Sequence, residues 1–209
     1  MDYRGVLGEY SAVYTVQKSK FIATCANVGN STDAADFIAR ISKRYNDATH
    51  NCYAYIANPE GTEMKFSDAG EPQGTAGLPI LEVIRKKGLS RTAVVVTRYF
   101  GGIKLGTGGL NKAYSKATTD CLNGALIADF MLSDYFRIIT DYQLKDRIAR
   151  AIENDGGEVS DIIYRDSVEI VFAVPVKLTE YLMSKLDCAT GAKAKPEKLY
   201  TKYYIYKRG

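Results

Sequence analysis

Two hydrophobic periods alternate along the chain. Glu9–Val16 and residues 19–26 are rich in aromatic and β-branched residues, which predicts two strands turned at Gln17-Lys18. Ser31-Thr32-Asp33 then supplies an N-cap signal with acid in the first turn, and Ala34, Phe37, Ile38, Ile41 and Tyr45 recur at helical spacing. Residues 51–57 predict a third strand, Asn58-Pro59-Glu60-Gly61 a turn, and residues 63–66 a short fourth strand. Pro79 suits the first turn of a helix that continues through Ile80, Val83 and Ile84, with Gly88 as its C-cap. Residues 92–98 read as a buried strand, and Leu110, Ala113, Tyr114, Ala117 and Cys121 as a helix over 108–124.

The second half has its own order. Residues 135–140 predict a strand, Leu144, Ile148, Ala151 and Ile152 a helix ending near Gly156-Gly157, and residues 159–164 and Val168–Pro175 a hairpin across Arg165-Asp166-Ser167. A helix over 178–186 and a strand over 200–206 follow. The order β-α-β-β-α-β is that of a split βαβ, ferredoxin-like domain. The expected class is α+β, with domains at 1–131 and 132–209.

The chain is organised around Val94–Ser115. A β-branched run leads into Arg98, then a loop with Gly101, Gly102, Gly106, Gly108 and Gly109, then a helix. Glycine is costly to order, so such a loop needs positive φ or close approach to something. A strand, a glycine loop and a helix N-terminus together favour an anion. Arg98, Lys104 and Lys112 add positive charge. The loop is not a Walker A sequence, because no Gly-Lys-Ser/Thr follows at the required spacing. It is not the dinucleotide fingerprint either, because Asn111 stands at the third glycine position.

A second loop runs from Ser67 to Gly77. Its Asp68 and Glu71 form a candidate polar site, able to hold a metal or act as acid and base. The competing reading is structural: Asp68 caps a turn, and Glu71 pairs with Arg98 or Lys104. No metal site is expected. His50, the only histidine, stands at a strand entry. It is a candidate general base, ligand or phosphate donor, or simply a structural hydrogen-bonding group, and a Cys52–His50 nucleophile pair is disfavoured for lack of a third, orienting group. Near the C-terminus, Tyr200, Tyr203, Tyr204 and Tyr206 interleave with Lys198, Lys202 and Lys207, an arrangement able to stack bases and contact phosphates, or simply a half-buried strand.

Composition narrows these options. At 209 residues, 46% hydrophobic and 25% charged, the chain can bury one large or two small cores. The net charge of +4 is mild, so nucleic-acid affinity must come from local clustering. Four scattered cysteines without a Cys-x-x-Cys pair argue against structural zinc or a disulfide framework, and for a reducing cytoplasm. No apolar run reaches about 18 residues, and the first residues show no secretory signal, so no membrane association is expected.

Four motifs, in order, carry a resemblance. They are Ser19-Lys20-Phe21-Ile22, Ala48-Thr49-His50-Asn51-Cys52-Tyr53-Ala54-Tyr55, the stretch Ser67-Asp68-Ala69-Gly70-Glu71-Pro72-Gln73-Gly74-Thr75-Ala76-Gly77, and Thr97-Arg98-Tyr99-Phe100-Gly101-Gly102-Ile103-Lys104-Leu105-Gly106-Thr107-Gly108-Gly109-Leu110. Together they resemble the IMPACT / YigZ family, in its bacterial two-domain form. The resemblance implies an N-terminal domain like the second domain of ribosomal protein S5 and a C-terminal domain similar to the last domain of elongation factor G. It implies a cytoplasmic, non-catalytic regulator of translation that binds nucleic acid or the ribosome, without a cofactor, with RNA, the ribosome or translation-factor proteins as partners. The expected phosphate-binding set is Lys20, His50, Arg98, Gly101, Gly102, Lys104, Gly106, Gly108, Gly109 and Lys112. The alternative is an enzyme that binds a nucleotide or phosphorylated small molecule at the glycine-rich loop. A third option is a protein–protein adaptor acting through Tyr99-Phe100.

Overall fold

The computed structural model describes residues 1–191 and 195–206. The chain is α+β and divides into two compact units, Met1–Asp129 and Phe130–Tyr206.

The first unit contains β1 (Tyr3–Val6), β2 (Glu9–Val16), β3 (Ser19–Asn27), α1 (Ser31–Arg44), β4 (His50–Ile56), β5 (Met64–Ser67), α2 (Gly77–Lys86), β6 (Thr92–Tyr99) and α3 (Gly106–Gly124). Five of its strands form a sheet in the order β2-β3-β6-β4-β5, each pair antiparallel. β6 lies at the centre and is buried along all but its last residue. The strand period sorts its side chains. Val94 and Val96 face a core shared with Phe21, Cys52 and the helices α2 and α3. Ala93 and Val95 face Phe37 and Ile41 of α1. A continuous β-branched run is what a strand covered on both faces requires, each buried valine contributing about 1.5–3 kcal/mol.

The same period fixes the functional end of the sheet. Arg98 follows Val94 and Val96 onto the α2/α3 face, and its register partners are His50 on β4 and Phe21 on β3. Tyr99 and its partner Lys20 point to the other face.

The second unit contains most of β7 (Ile127–Thr140), then α4 (Lys145–Asn154), β8 (Glu158–Tyr164), β9 (Val168–Pro175), α5 (Thr179–Thr190) and β10 (Glu197–Tyr206). Its strand order is β10-β7-β9-β8, with β7 and β8 both antiparallel to β9. Its core joins Ile138, Ile170 and Phe172 to Ile148, Ile152, Leu182 and Leu186.

Several boundaries differ from the sequence expectation. β1 was not expected: it has four residues and Gly5 interrupts its pattern. β7 starts at Ile127 rather than 135, because Ser133 and Asp134, which break the apolar pattern, are satisfied inside the fold; Asp134 accepts from Thr179, Lys198 and Thr201. The cap of α1 is Asn30, whose side chain accepts from the Asp33 amide at 2.9 Å. α3 begins at Gly106, two residues before the expected start, and takes its glycines into its first turn.

Candidate anion-binding cleft

The end of the central sheet is built around a buried ion pair. Arg98 Nη1 donates to Glu71 Oε1 at 2.6 Å, and the two side chains are 6% and 3% exposed. Tyr114 on α3 donates its hydroxyl to the same oxygen at 2.8 Å, and the Cys52 thiol reaches that hydroxyl at 3.3 Å. The Arg98 guanidinium lies between two rings, 5.5 Å from the centroid of Phe21 and 5.4 Å from that of Phe100. Glu71 is the one hydrogen-bond partner of this guanidinium among the described residues, and Nε is buried without one. Of the five donors of this guanidinium, one is met by Glu71 and the one on Nε is buried without an acceptor.

His50 stands beside the pair. Its Nδ1 is 2.9 Å from the Ala69 carbonyl, which only accepts, so Nδ1 carries a proton. Nε2 then faces Glu71 Oε2 across 4.0 Å. A proton on Nε2 turns that contact into an ion pair; without it, two acceptors face each other.

The 67–77 loop is held by its own residues. The Asp68 carboxylate accepts from the amides of Gly74 at 2.8 Å and of Ala76 and Gly77 at 2.9 Å, and so caps the start of α2. Burial pushes its carboxyl up, but those three amides more than compensate and hold it below the usual carboxylate value. Thr75 donates its hydroxyl to the Pro72 carbonyl. Asp68 is therefore engaged in folding the loop and Glu71 in pairing Arg98. Among the described residues no group of three or more His, Cys, Asp or Glu is placed to hold a metal ion. Burial pushes the Cys52 thiol up to about 12, so it is not a thiolate at neutral pH, and its geometry toward Tyr114 is that of a structural donor.

Next to this pair opens a cleft of about 470 Å³, within the range of small-ligand sites. His50, Glu71 and Arg98 form its polar floor, and Pro72, Phe100, Leu105 and Leu110 its apolar walls. Lys104, Gly106 and Thr107 bring in the start of α3. That start has no side-chain cap and no acid in its first turn. Gly106 and Thr107 of that first turn line the cleft, so the positive end of the helix dipole lies beside it. A shallower recess of about 510 Å³ adjoins it through the shared Thr107, and Gly108, Asn111 and Lys112 line it with Gln73, Gly74 and Thr75.

Of the expected set, the structure brings His50, Arg98, Lys104 and Gly106 into the first cleft, and Gly108 and Lys112 into the recess. Gly109 stays within α3, against the side chain of Leu105. Lys20 is exposed on the opposite face of the sheet. Gly101 has an internal reason for its identity: a Cβ there would lie 2.0 Å from the Lys18 carbonyl carbon, and its amide donates to Ser19 Oγ. Gly102 takes a φ of 84°, a turn conformation, and lines neither cavity. Tyr99 is tied to Asp47, while Phe100 is 45% exposed at the mouth. The sequence reading missed Tyr114 as a polar partner and Thr49 and Thr107 as lining. A tyrosine in a helical core stripe is itself a signal, since its buried hydroxyl needs an acceptor.

The tyrosine-rich β10 is largely occupied by its own neighbours. Tyr200 stacks on Tyr135 at 4.7 Å, Lys202 lies over both rings, and Lys198 pairs with Asp134 at 2.7 Å. Lys207, the last of the interleaved lysines, lies outside the described residues.

The model of the Impact N-terminal domain matches residues 17–122, which hold the whole cleft. The chain belongs to the IMPACT family. IMPACT family member YvyE of Bacillus subtilis (strain 168) is 37% identical over 187 residues, covering 90% of this chain and 85% of its own. IMPACT family member YigZ of Escherichia coli (strain K12) is 30% identical over 185 residues, covering 87% and 91%. A crystal structure described as that of a hypothetical protein superposes with a TM-score of 0.63 at 27% identity, over 95% of this chain and 98% of that one. The IMPACT match thus spans both units, and no helix among the described residues is long and apolar enough to cross a membrane.

Proposed function

We propose that this IMPACT-family chain is a non-catalytic, cytoplasmic regulator of translation that binds RNA or the ribosome through the cleft at the start of α3. In this reading the first unit is an S5 domain 2-like module and the second a ferredoxin-like module similar to the last domain of elongation factor G. The order β10-β7-β9-β8 supports the second assignment. Translation-factor proteins are further candidate partners.

One observation carries the functional reading. A buried arginine whose Nε has no acceptor stands beside an uncapped helix N-terminus and two exposed lysines. Both features are complementary to a phosphate oxygen. The chemistry for a reaction is thin by comparison, because the Cys52 thiol is held neutral and both Asp68 and Glu71 are engaged in the fold. The test is binding of structured RNA and of ribosomes across a salt series. Affinity is expected to fall as salt rises, with a slope that measures the phosphates contacted. Salt-independent binding, or none to either, overturns the reading.

The size and apolar walls of the cleft favour a second reading, an enzyme acting on a nucleotide or a phosphorylated small molecule. Thermal stabilisation by millimolar ATP with magnesium is its signature, since a ligand that binds only the folded state raises the melting temperature. No shift removes it.

A further inference from the structure

The cleft and the recess differ in a way that bears on which phosphate can enter. Arg98 is 5% exposed and lines the cleft together with Phe100 and the first turn of α3. An internal phosphodiester carries a sugar on both sides, and both would have to enter to bring its oxygens to this guanidinium. A terminal phosphate carries only one. The recess beyond Thr107 is shallower, and Gly108 and Lys112 are exposed along it, so a phosphodiester passing over the surface can meet them.

The glycines support this division. Gly108 is exposed on α3, and a Cβ there would meet nothing within 4 Å, so packing inside the protein does not demand glycine. Glycine in a helix weakens it, by up to about 1 kcal/mol relative to alanine. An amide left bare at that cost is what close approach of a ligand to the backbone requires. Beside it, Phe100 offers an exposed ring at the cleft mouth. An aromatic ring there suits the sugar or base attached to a phosphate held at Arg98.

We infer that the cleft recognises the terminal phosphomonoester of a nucleotide, with its phosphate at Arg98 and the start of α3, and that the following backbone runs over Gly108 and Lys112. The inference rests on the RNA-binding reading and narrows it to a chain end. The same chemistry is offered by a free mononucleotide, which fills the cleft without using the recess. One Glu71 oxygen is held by Arg98 and Tyr114, and the other, 4.0 Å from His50 Nε2, is paired when that nitrogen carries a proton.

The test uses the full chain and one short single-stranded RNA, labelled internally, in three forms: 5′-phosphate, 3′-phosphate and hydroxyl at both ends. Adenosine 5′-monophosphate serves as competitor. One of the phosphorylated forms is expected to bind at least about tenfold more tightly than the hydroxyl form, the worth of one charge-assisted contact set. Thr107→Glu, an exposed change at the shared wall, is expected to bring the phosphorylated form down to the affinity of the hydroxyl form measured on the same variant, and a preference that survives it overturns the inference. Arg98→Lys is a second probe, and if it fails to fold, Thr107→Glu alone decides. Equal binding of all three RNAs overturns the inference and leaves the RNA reading standing. Binding of the mononucleotide with no binding of any RNA supports the terminal-phosphate site and overturns the RNA reading. Absence of both overturns the two together.

Discussion

Two glycine-rich loops flank the same ion pair, and they are built in opposite ways. The 67–77 loop satisfies itself: the Asp68 carboxylate takes three amides, Thr75 returns to Pro72, and the next helix begins capped. The 100–109 segment starts the same way, with the Phe100 amide on Thr49 and the Gly101 amide on Ser19, and then stops. α3 opens with no side-chain cap and no acid, with Gly106 lining the cleft and Gly108 the recess. Glycine content does not distinguish them. What does is whether the polar groups of the loop find partners inside the chain, because unmet donors near a buried cation are what a ligand can use.

The largest expected effect breaks the pair between the loops. Glu71→Ala leaves Arg98 buried without a counter-charge and Tyr114 without an acceptor, and is expected to cost about 3–5 kcal/mol in urea unfolding. Next comes the self-satisfied loop. Asp68→Ala should destabilise by about 1–2 kcal/mol through loss of the α2 cap. Asp68 also gives this loop a pH signature. Its carboxyl is held below its usual value, so its stabilisation is present above the unfolded value of about 3.9 and is lost as pH falls through the lower folded one. The acid limb of the stability curve should therefore be shallower in Asp68→Asn, as read by denaturation between pH 5 and pH 2.

The open loop should respond oppositely. Lys104→Glu with Lys112→Glu changes two exposed side chains, so stability should stay within about 0.5 kcal/mol. RNA affinity should drop at least about tenfold, and the salt slope should lose about two phosphates. The smallest effect is the sharpest discriminator. Gly108→Ala should raise stability by up to about 1 kcal/mol while weakening binding, because its Cβ has room in the fold but stands where a ligand would come. A gain in both would mean that nothing approaches that backbone.

Much of this contrast was readable in the residues, and the part that was not has a physical reason. The buried strand at β6 announced itself because both its faces are covered, and the pairing of Glu71 with Arg98 was one of two expectations for that carboxylate. The period of two could have placed Lys20 opposite Arg98, but only once the register of β3 on β6 is known, and register is a tertiary property. Tyr114 was hidden by its helical spacing: the same position serves the apolar stripe through its ring and the ion pair through its hydroxyl. Gly101 and Gly108 look alike in sequence, yet one is required by a neighbouring turn and the other has empty space around it.

The direct measurement is a titration of the isotope-labelled chain with inorganic phosphate, following backbone amide resonances. Shifts that saturate at Gly106, Thr107 and Gly108 and at the Arg98 side chain, with the amides of Ala76 and Gly77 unmoved, are the expected result. Shifts confined to scattered lysines, with the start of α3 silent, would contradict an anion site there.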